Sequence, residues 1–380
     1  MSGAPRPRPS EEPPVTSGGR EKHAASDRDT TPALGKRGEP GRWRRAKDGA
    51  RVALARSRFG DMRWSYLYGA ETNYAKGAHA AGRPEPTEEV PERVHGPVMK
   101  PPVWTWEVPL YFWFGGIASG ASFVGLACDL AGDHRSAATA RKVALAALLP
   151  SPPLLIMDLG RPARFANMLR LVKPRSPMNM GAWALTLFGG LMSGAVAADE
   201  LKLRPLARAL GGASAAVGGY LGSYTGILLG VTAVPLWARS RLFLGPIFIA
   251  TATATGASAC RLTLVAAGLP HGHRTRSALG TVETGAIGAE LVLSTINEKQ
   301  LGQLGDALER GRAGHLFRGA KWGVRTGLAL RLLRGRGGVV VHHVASALYL
   351  ASGLAFRYAW VEAGKISASD DQHVASMGRR

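Results

Sequence analysis

Cysteine is almost missing: Cys128 and Cys260 are the only two in 380 residues, they lie in separate apolar runs, and no C-x-x-C occurs. An iron-sulfur cluster held within the chain is thereby excluded, and a disulfide framework has no support. Of ten histidines, the only pair near an apolar run is His342 with His343. Sequence neighbours point to different sides of a helix, which argues against haem held between two histidines. His134, His271 and His273 read as solvated loop residues. There is no Walker-type loop, G-x-S-x-G elbow or H-E-x-x-H. Nucleotide hydrolysis and ordinary hydrolase chemistry therefore lack a site. Acidic residues number 27 against 48 Lys and Arg, for a formal net charge of +21. No nucleic-acid motif accompanies that charge, and the basic residues are spread along the whole chain, so no nucleic-acid partner is expected.

The mean hydropathy of −0.02 looks like that of a soluble protein, but it averages two unlike parts. Residues 1–103 form an arm rich in Pro, Gly and charge, beginning MSGAPRPRPSEEPPVTSGGR. It has no apolar stretch of the kind a secretory signal needs, and too little to bury to offset chain entropy, so it is predicted to be largely disordered. It reads as a solvated tail, with contact to anionic lipid head groups or an acidic partner as the alternative. From Val108 onward, runs of Ala, Leu, Gly and Val recur. They are long enough to cross a hydrocarbon core of about 30 Å. Predicted helices fall at 108–131, 142–158, 179–198, 214–237, 242–268, 278–296 and 339–362. The segment 318–334 is long enough to be an eighth, but it carries Arg318, Lys321, Arg325, Arg331 and Arg334. It is either a short span whose end charges snorkel or an interfacial amphipathic helix, and the span is favoured.

The expected fold class is all-α: a polytopic integral membrane bundle of about eight transmembrane helices. It spans 104–365, with the basic arm before it and a tail at 366–380. With eight spans and a cytoplasmic N-terminus, the cytoplasmic loops carry twelve Lys and Arg and the opposite loops ten. The bias is small, and the basic arm points the same way, toward both termini inside the cell membrane. Gly218, Gly222, Gly226 and Gly230 repeat every four residues, as do the pairs Gly116/Gly120 and Gly190/Gly194. Such spacing predicts close helix packing. Tyr220 is expected to serve that packing and Tyr224 to face a pocket.

Chemistry is confined to a few charges at membrane depth or at its boundary. Asp158 and Arg161, three residues apart at the end of one apolar run, share a helix face if the turn continues. Glu283 and Glu290 share another face, and Arg261 and Arg357 lie within spans. Each such group is costly in lipid and must pair or line a wet cavity. Either these are structural pairs, Glu290 with Arg261 for example, or they form a proton relay or ligand site.

Five segments carry a resemblance: VPLYFWFGGIASGASFVG (108–125), MDLGRPARF (157–165), SPMNMGAW (176–183), GSYTGILLGVTAVPLW (222–237) and ALYLASGLAFRY (347–358). Together they resemble the polysulfide reductase membrane-subunit, or NrfD-like, family over nearly all of 104–365. The resemblance implies an eight-helix membrane protein without haem that exchanges electrons between membrane quinone (menaquinone or ubiquinone) and an iron-sulfur partner subunit. Further companions would be a molybdopterin or multihaem cytochrome subunit and the surrounding membrane lipids. By motif match, Asp158 and Arg161 are the leading site candidates. Tyr224, Glu290 and His342 rest more on intramembrane polarity. The resulting expectation is a quinone-binding membrane subunit of an oxidoreductase, with Asp158 exchanging a proton, Arg161 setting its charge state and Tyr224 donating to a quinone carbonyl. Two other classes stay open: a redox-linked proton- or ion-conducting module using Glu283 and Glu290, and a purely structural anchor.

Overall fold

The fold is described from a computed structural model that covers residues 99–158, 162–332, 339–371 and 374–375. The arm up to residue 98, and Arg161 with it, lie outside the described residues. All regular structure within them is helical. Helix α1, Glu107–Leu130, is followed by α2, His134–Leu148, and α3, Ser151–Asp158. Pro150 stands between the last two, and Pro152 and Pro153 take the first turn of α3, where the N–H that proline lacks has no helical partner. Together α2 and α3 make one traverse of 25 residues. It begins at His134 instead of 142 because Asp133 caps it, accepting from the backbone N–H of Ser136 at 3.1 Å. The Asp133 carboxyl also accepts from Thr275. Burial works against its ionisation, but hydrogen bonds from Ser136 and Thr275 and the nearby His273 outweigh it and hold its pKa below the usual value.

After the short α4, Pro162–Arg170, come α5, Pro177–Glu200, and α6, Arg204–Gly230. The predicted span at 214–237 is thus cut seven residues early: the chain turns after Gly230, and Pro235 opens a separate short helix, α7, Pro235–Arg239. Helix α8, Arg241–Ala266, and α9, Arg274–Leu301, lead through a 3₁₀ turn at Gly302–Leu308 to α10, Gly311–Leu332, and α11, Val339–Ser369. Five traverses are long and apolar enough to cross a membrane: α1, α2 with α3, α5, α8 and α11. In α6, α9 and α10, polar and charged residues interrupt the apolar pattern.

Helix α8 packs against α1, α6, α9 and α11, and α1 also packs against α2 and α6. Small residues decide how close these helices come. Gly120 of α1 and Gly256 of α8 face each other backbone to backbone, so a Cβ on either would run into the other helix's main chain. Along α6, Gly218 and Gly222 lie against the Ser122 and Ser119 hydroxyls of α1, while Gly226 meets the Leu244–Gly245 backbone of α8. Ser119 donates to the Gly218 carbonyl at 2.5 Å, adding a hydrogen bond to that approach. The pair Gly190/Gly194 makes no comparable seam: a Cβ on Gly190 would meet nothing, and one on Gly194 would meet only the Leu210 side chain.

The charges of α9 and α10 pair with each other. Lys321 bonds Glu298 at 2.6 Å, and Arg331 pairs with Glu283. Snorkelling of Lys321 and Arg331 is therefore not what accommodates them; carboxylates on the neighbouring helix do. The expected Glu290–Arg261 pair does not form. Arg261 instead donates to the His342 carbonyl at 3.0 Å, and Glu290 accepts from Ser294 at 2.8 Å.

A buried ion triad joins α1, α2 and α5. Arg141, only 2% exposed, donates to Asp129 at 2.5 Å and in a fork to both oxygens of Asp199 at 2.6 and 2.8 Å. Removing one member of such a cluster strands the rest in low dielectric, at a cost of about 3–5 kcal/mol. Arg141→Gln is expected to lower unfolding stability in detergent by about that amount. Replacing the triad together, as Arg141→Leu with Asp129→Asn and Asp199→Asn, should recover most of the loss; a single variant as stable as the parent contradicts this role.

Candidate functional site

At the end of the bundle where α1 begins and α3 stops, a cleft opens between α1, α3, α5 and α6. Its polar lining comes from Asp158, Tyr111 and Tyr224, set in apolar walls that include Trp104, Phe112 and Met178. It is narrow, with a cavity volume of about 30 Å³. Asp158 is half-buried at the C-terminus of α3, and Glu107 at the start of α1 is near enough to act on it electrostatically.

The segment SPMNMGAW builds one wall, and its residues have separable tasks. Ser176 caps α5 by accepting from the Asn179 N–H at 3.4 Å, and Pro177 takes the first helical position, where a missing N–H costs nothing. The Asn179 side chain holds the preceding loop: it accepts from the Lys173 N–H at 2.6 Å and donates to the carbonyls of Met168 at 2.6 Å and Leu171 at 3.0 Å. Trp183 adds a bond to the Leu171 carbonyl at 3.3 Å. Gly181 leaves room for the phenol end of Tyr224, which a Cβ there would strike. The α4–α5 connection and the buried tyrosine are thus fixed by one stretch of chain.

Of the residues singled out in the sequence, Asp158 and Tyr224 line this cleft together. Arg161 is outside the described residues. Glu290 is elsewhere, in a cleft between α9, α10 and α11 with Ser294, Lys321 and Tyr349. His342 lines a third cavity, at the opposite end of the bundle, with Arg261, Arg276 and Arg331. Sequence reasoning overlooked Tyr111, Asn179 and Gly181. The first sits within a long apolar run with no motif to mark it, and the other two stand inside a motif whose spacing was noted without a task for each position. Tyr220 is 38% exposed, with its ring 5.7 Å from that of Tyr224, so it is not the buried packing residue expected of it, whereas Tyr224 lines a cleft.

The family model for polysulphide reductase, NrfD, matches residues 96–366. The chain belongs to this family. No curated protein matches the chain as a relative. NrfD proteins are membrane subunits of oxidoreductase complexes and work with partner subunits, and the five long apolar traverses make this chain a multi-pass membrane protein. The cleft is lined by residues of four of the five segments that resemble the family in sequence, 108–125, 157–165, 176–183 and 222–237.

The contact between Gly181 and Tyr224 gives a direct test of how the cleft is built. Gly181→Ala is expected to destabilise the protein by about 1–3 kcal/mol through overpacking. In a Tyr224→Ala background the same change should cost almost nothing, which a double-mutant cycle of thermal unfolding measures. Equal penalties in both backgrounds contradict the contact.

Proposed function

We propose that this NrfD protein is the quinone-binding membrane subunit of a multi-subunit oxidoreductase, and that the cleft lined by Asp158, Tyr111 and Tyr224 receives the quinone head. In this reading α6, α9 and α10 cross the membrane with the five apolar traverses, giving eight crossings, with the N-terminus cytoplasmic. An iron-sulfur subunit docks over the end of the bundle that carries the cleft, and a molybdopterin or multihaem cytochrome subunit completes the electron path.

The single observation that carries the reading is the convergence of a half-buried carboxylate and two phenols on one apolar-walled cleft at the bundle's edge. That donor set fits the group. A quinone head needs hydrogen-bond partners at its oxygens, apolar contact for its ring and a proton path, and no metal ligand. When bound, the quinone supplies two-electron, two-proton redox chemistry. Tyr224, placed by Gly181, donates from its phenol to an oxygen of the head, and Tyr111 stands beside it on α1. Asp158, at the end of its helix and open toward the mouth, accepts the proton that leaves on oxidation or returns it on reduction. Phe112, Trp104 and Met178 keep water from the ring. Arg161, three residues beyond Asp158, biases the carboxyl toward its charged form. A partner supplies or removes electrons, since this chain has only two cysteines and no cluster motif.

Asp158→Asn keeps the shape of the group and removes its proton exchange. The assembled variant complex is expected to lose quinol-dependent electron flow by about 10²-fold or more. Tyr224→Phe should raise the quinol KM more than it lowers kcat, because it removes binding and leaves proton exchange intact. Unchanged turnover in an assembled Asp158→Asn complex would reject the assignment.

A second reading has one observation of its own. Glu283 and Glu290 are both buried on one side of α9, at 0% and 6% exposure, an arrangement that suits a redox-linked proton-conducting module. Under it, Glu290→Gln stops proton movement in vesicles while electron transfer continues.

A further inference from the structure

The cavity at the other end of the bundle, between α8, α9, α10 and α11, takes no part in the quinone reading. Its cavity volume is about 360 Å³, against about 30 Å³ for each of the other two clefts. Three arginines line it: Arg261 near the end of α8, Arg276 in the first turn of α9 and Arg331 at the end of α10. All three are more than nine-tenths buried.

Their partners do not balance their charge. Arg331 pairs with Glu283, which also accepts from Ser346 at 2.9 Å. Arg261 reaches only neutral groups, the His342 carbonyl at 3.0 Å and the Ser346 hydroxyl at 3.4 Å. Arg276 is in the same position, bonded to a His343 ring nitrogen at 3.1 Å and the Leu269 carbonyl at 3.5 Å. Among the described residues, one carboxylate thus faces three guanidiniums, and the Nε groups of Arg261 and Arg331 are buried without a hydrogen-bond partner. Two unmatched positive charges at a membrane edge are expensive unless an anion joins them. Hydroxyls of Ser277, Thr281 and Thr284 stand on the α9 side of the same cavity; Thr281 and Thr284 donate to the Ser277 and Gly280 carbonyls of their own helix, at 3.4 and 2.7 Å, so Ser277 supplies the neutral donor. Guanidinium forks arranged around a space, with a hydroxyl beside them, match the oxygens of a phosphoryl group. All three arginines are near helix ends, the depth at which lipid phosphates lie.

We propose that this cavity is a binding site for a phosphate group, held by Arg261, Arg276 and Arg331. The phosphate completes the charge balance at this end of the α8–α11 bundle. Its source is either a phospholipid head group entering from the side or a free phosphate ion entering from the aqueous face.

The test uses the full chain, purified in mild detergent. It is reconstituted in nanodiscs of phosphatidylcholine containing a minor fraction of phosphatidylglycerol, and retained lipid is measured by native mass spectrometry. In parallel, equilibrium binding of radiolabelled inorganic phosphate is measured. Arg276→Gln is the primary variant, Arg261→Gln a second in case the first fails to fold, and Lys142→Gln the control. Lys142 is an exposed residue at the same end of the bundle, paired with Glu200 at 2.6 Å. The parent and the control are expected to retain the anionic lipid, or to bind the free ion saturably, and the cavity variants to do so about tenfold less. Selective lipid retention with no free-ion binding makes the head group the ligand, and the converse makes it the free ion. Equal binding by parent, control and cavity variants in both assays, or none in either, overturns the proposal and leaves a water-filled vestibule.

Discussion

The close contact of α1 with α8 is the constraint on which the rest of the bundle depends. In lipid, apolar burial gives little drive for helix association, and packing and hydrogen bonds must supply it. Gly120 and Gly256 let the two main chains touch, which draws α6 into the groove beside them through Gly218, Gly222 and Gly226. The position of α6 then places Tyr224 over Gly181 of α5, and α5 in turn holds the α4–α5 connection through Asn179. A widening of the α1–α8 contact would be felt at the cleft with no residue of the cleft itself altered.

Charge is handled differently at the two ends. Near the cleft, acidic and phenolic groups stand in partly open apolar surroundings and few of them are locked in ion pairs. At the other end some charges are paired, Arg141 with Asp129 and Asp199 and Arg331 with Glu283, while Arg261 and Arg276 reach neutral groups. Fully paired groups rigidify, whereas a carboxyl able to gain and lose a proton must keep some of its capacity unspent. Asp158 has the second character and Asp199 the first.

Much of this was legible in the sequence, and the failures have physical causes. Apolar run length located every long helix, because a 30 Å core of hydrocarbon imposes a minimum length. It misplaced ends where polar residues are buried in pairs: the run rule put Arg141 and Asp199 in loops, yet each neutralises the other inside the bundle. It also mistook the basic face of α10 for a snorkelling problem, since the matching carboxylates Glu283 and Glu298 sit on a different helix and pairing across helices leaves no local signal. At the site, motif spacing brought forward Asp158, and helical position brought forward Tyr224. That they share a cleft depends on the α6 seam and on Gly181, a long-range relation that no local pattern contains. Glu290 and His342 were marked for intramembrane polarity alone, a property that does not distinguish one cavity from another.

The most direct test is photoaffinity labelling of the purified protein with an azido-quinone, followed by mass-spectrometric mapping of the cross-linked peptides. The account predicts label on α3, α5 or α6 around Asp158, Gly181 and Tyr224, suppressed by excess unlabelled quinone. Competed label confined to the α9–α10 cleft around Glu290, with none near Asp158, would contradict it.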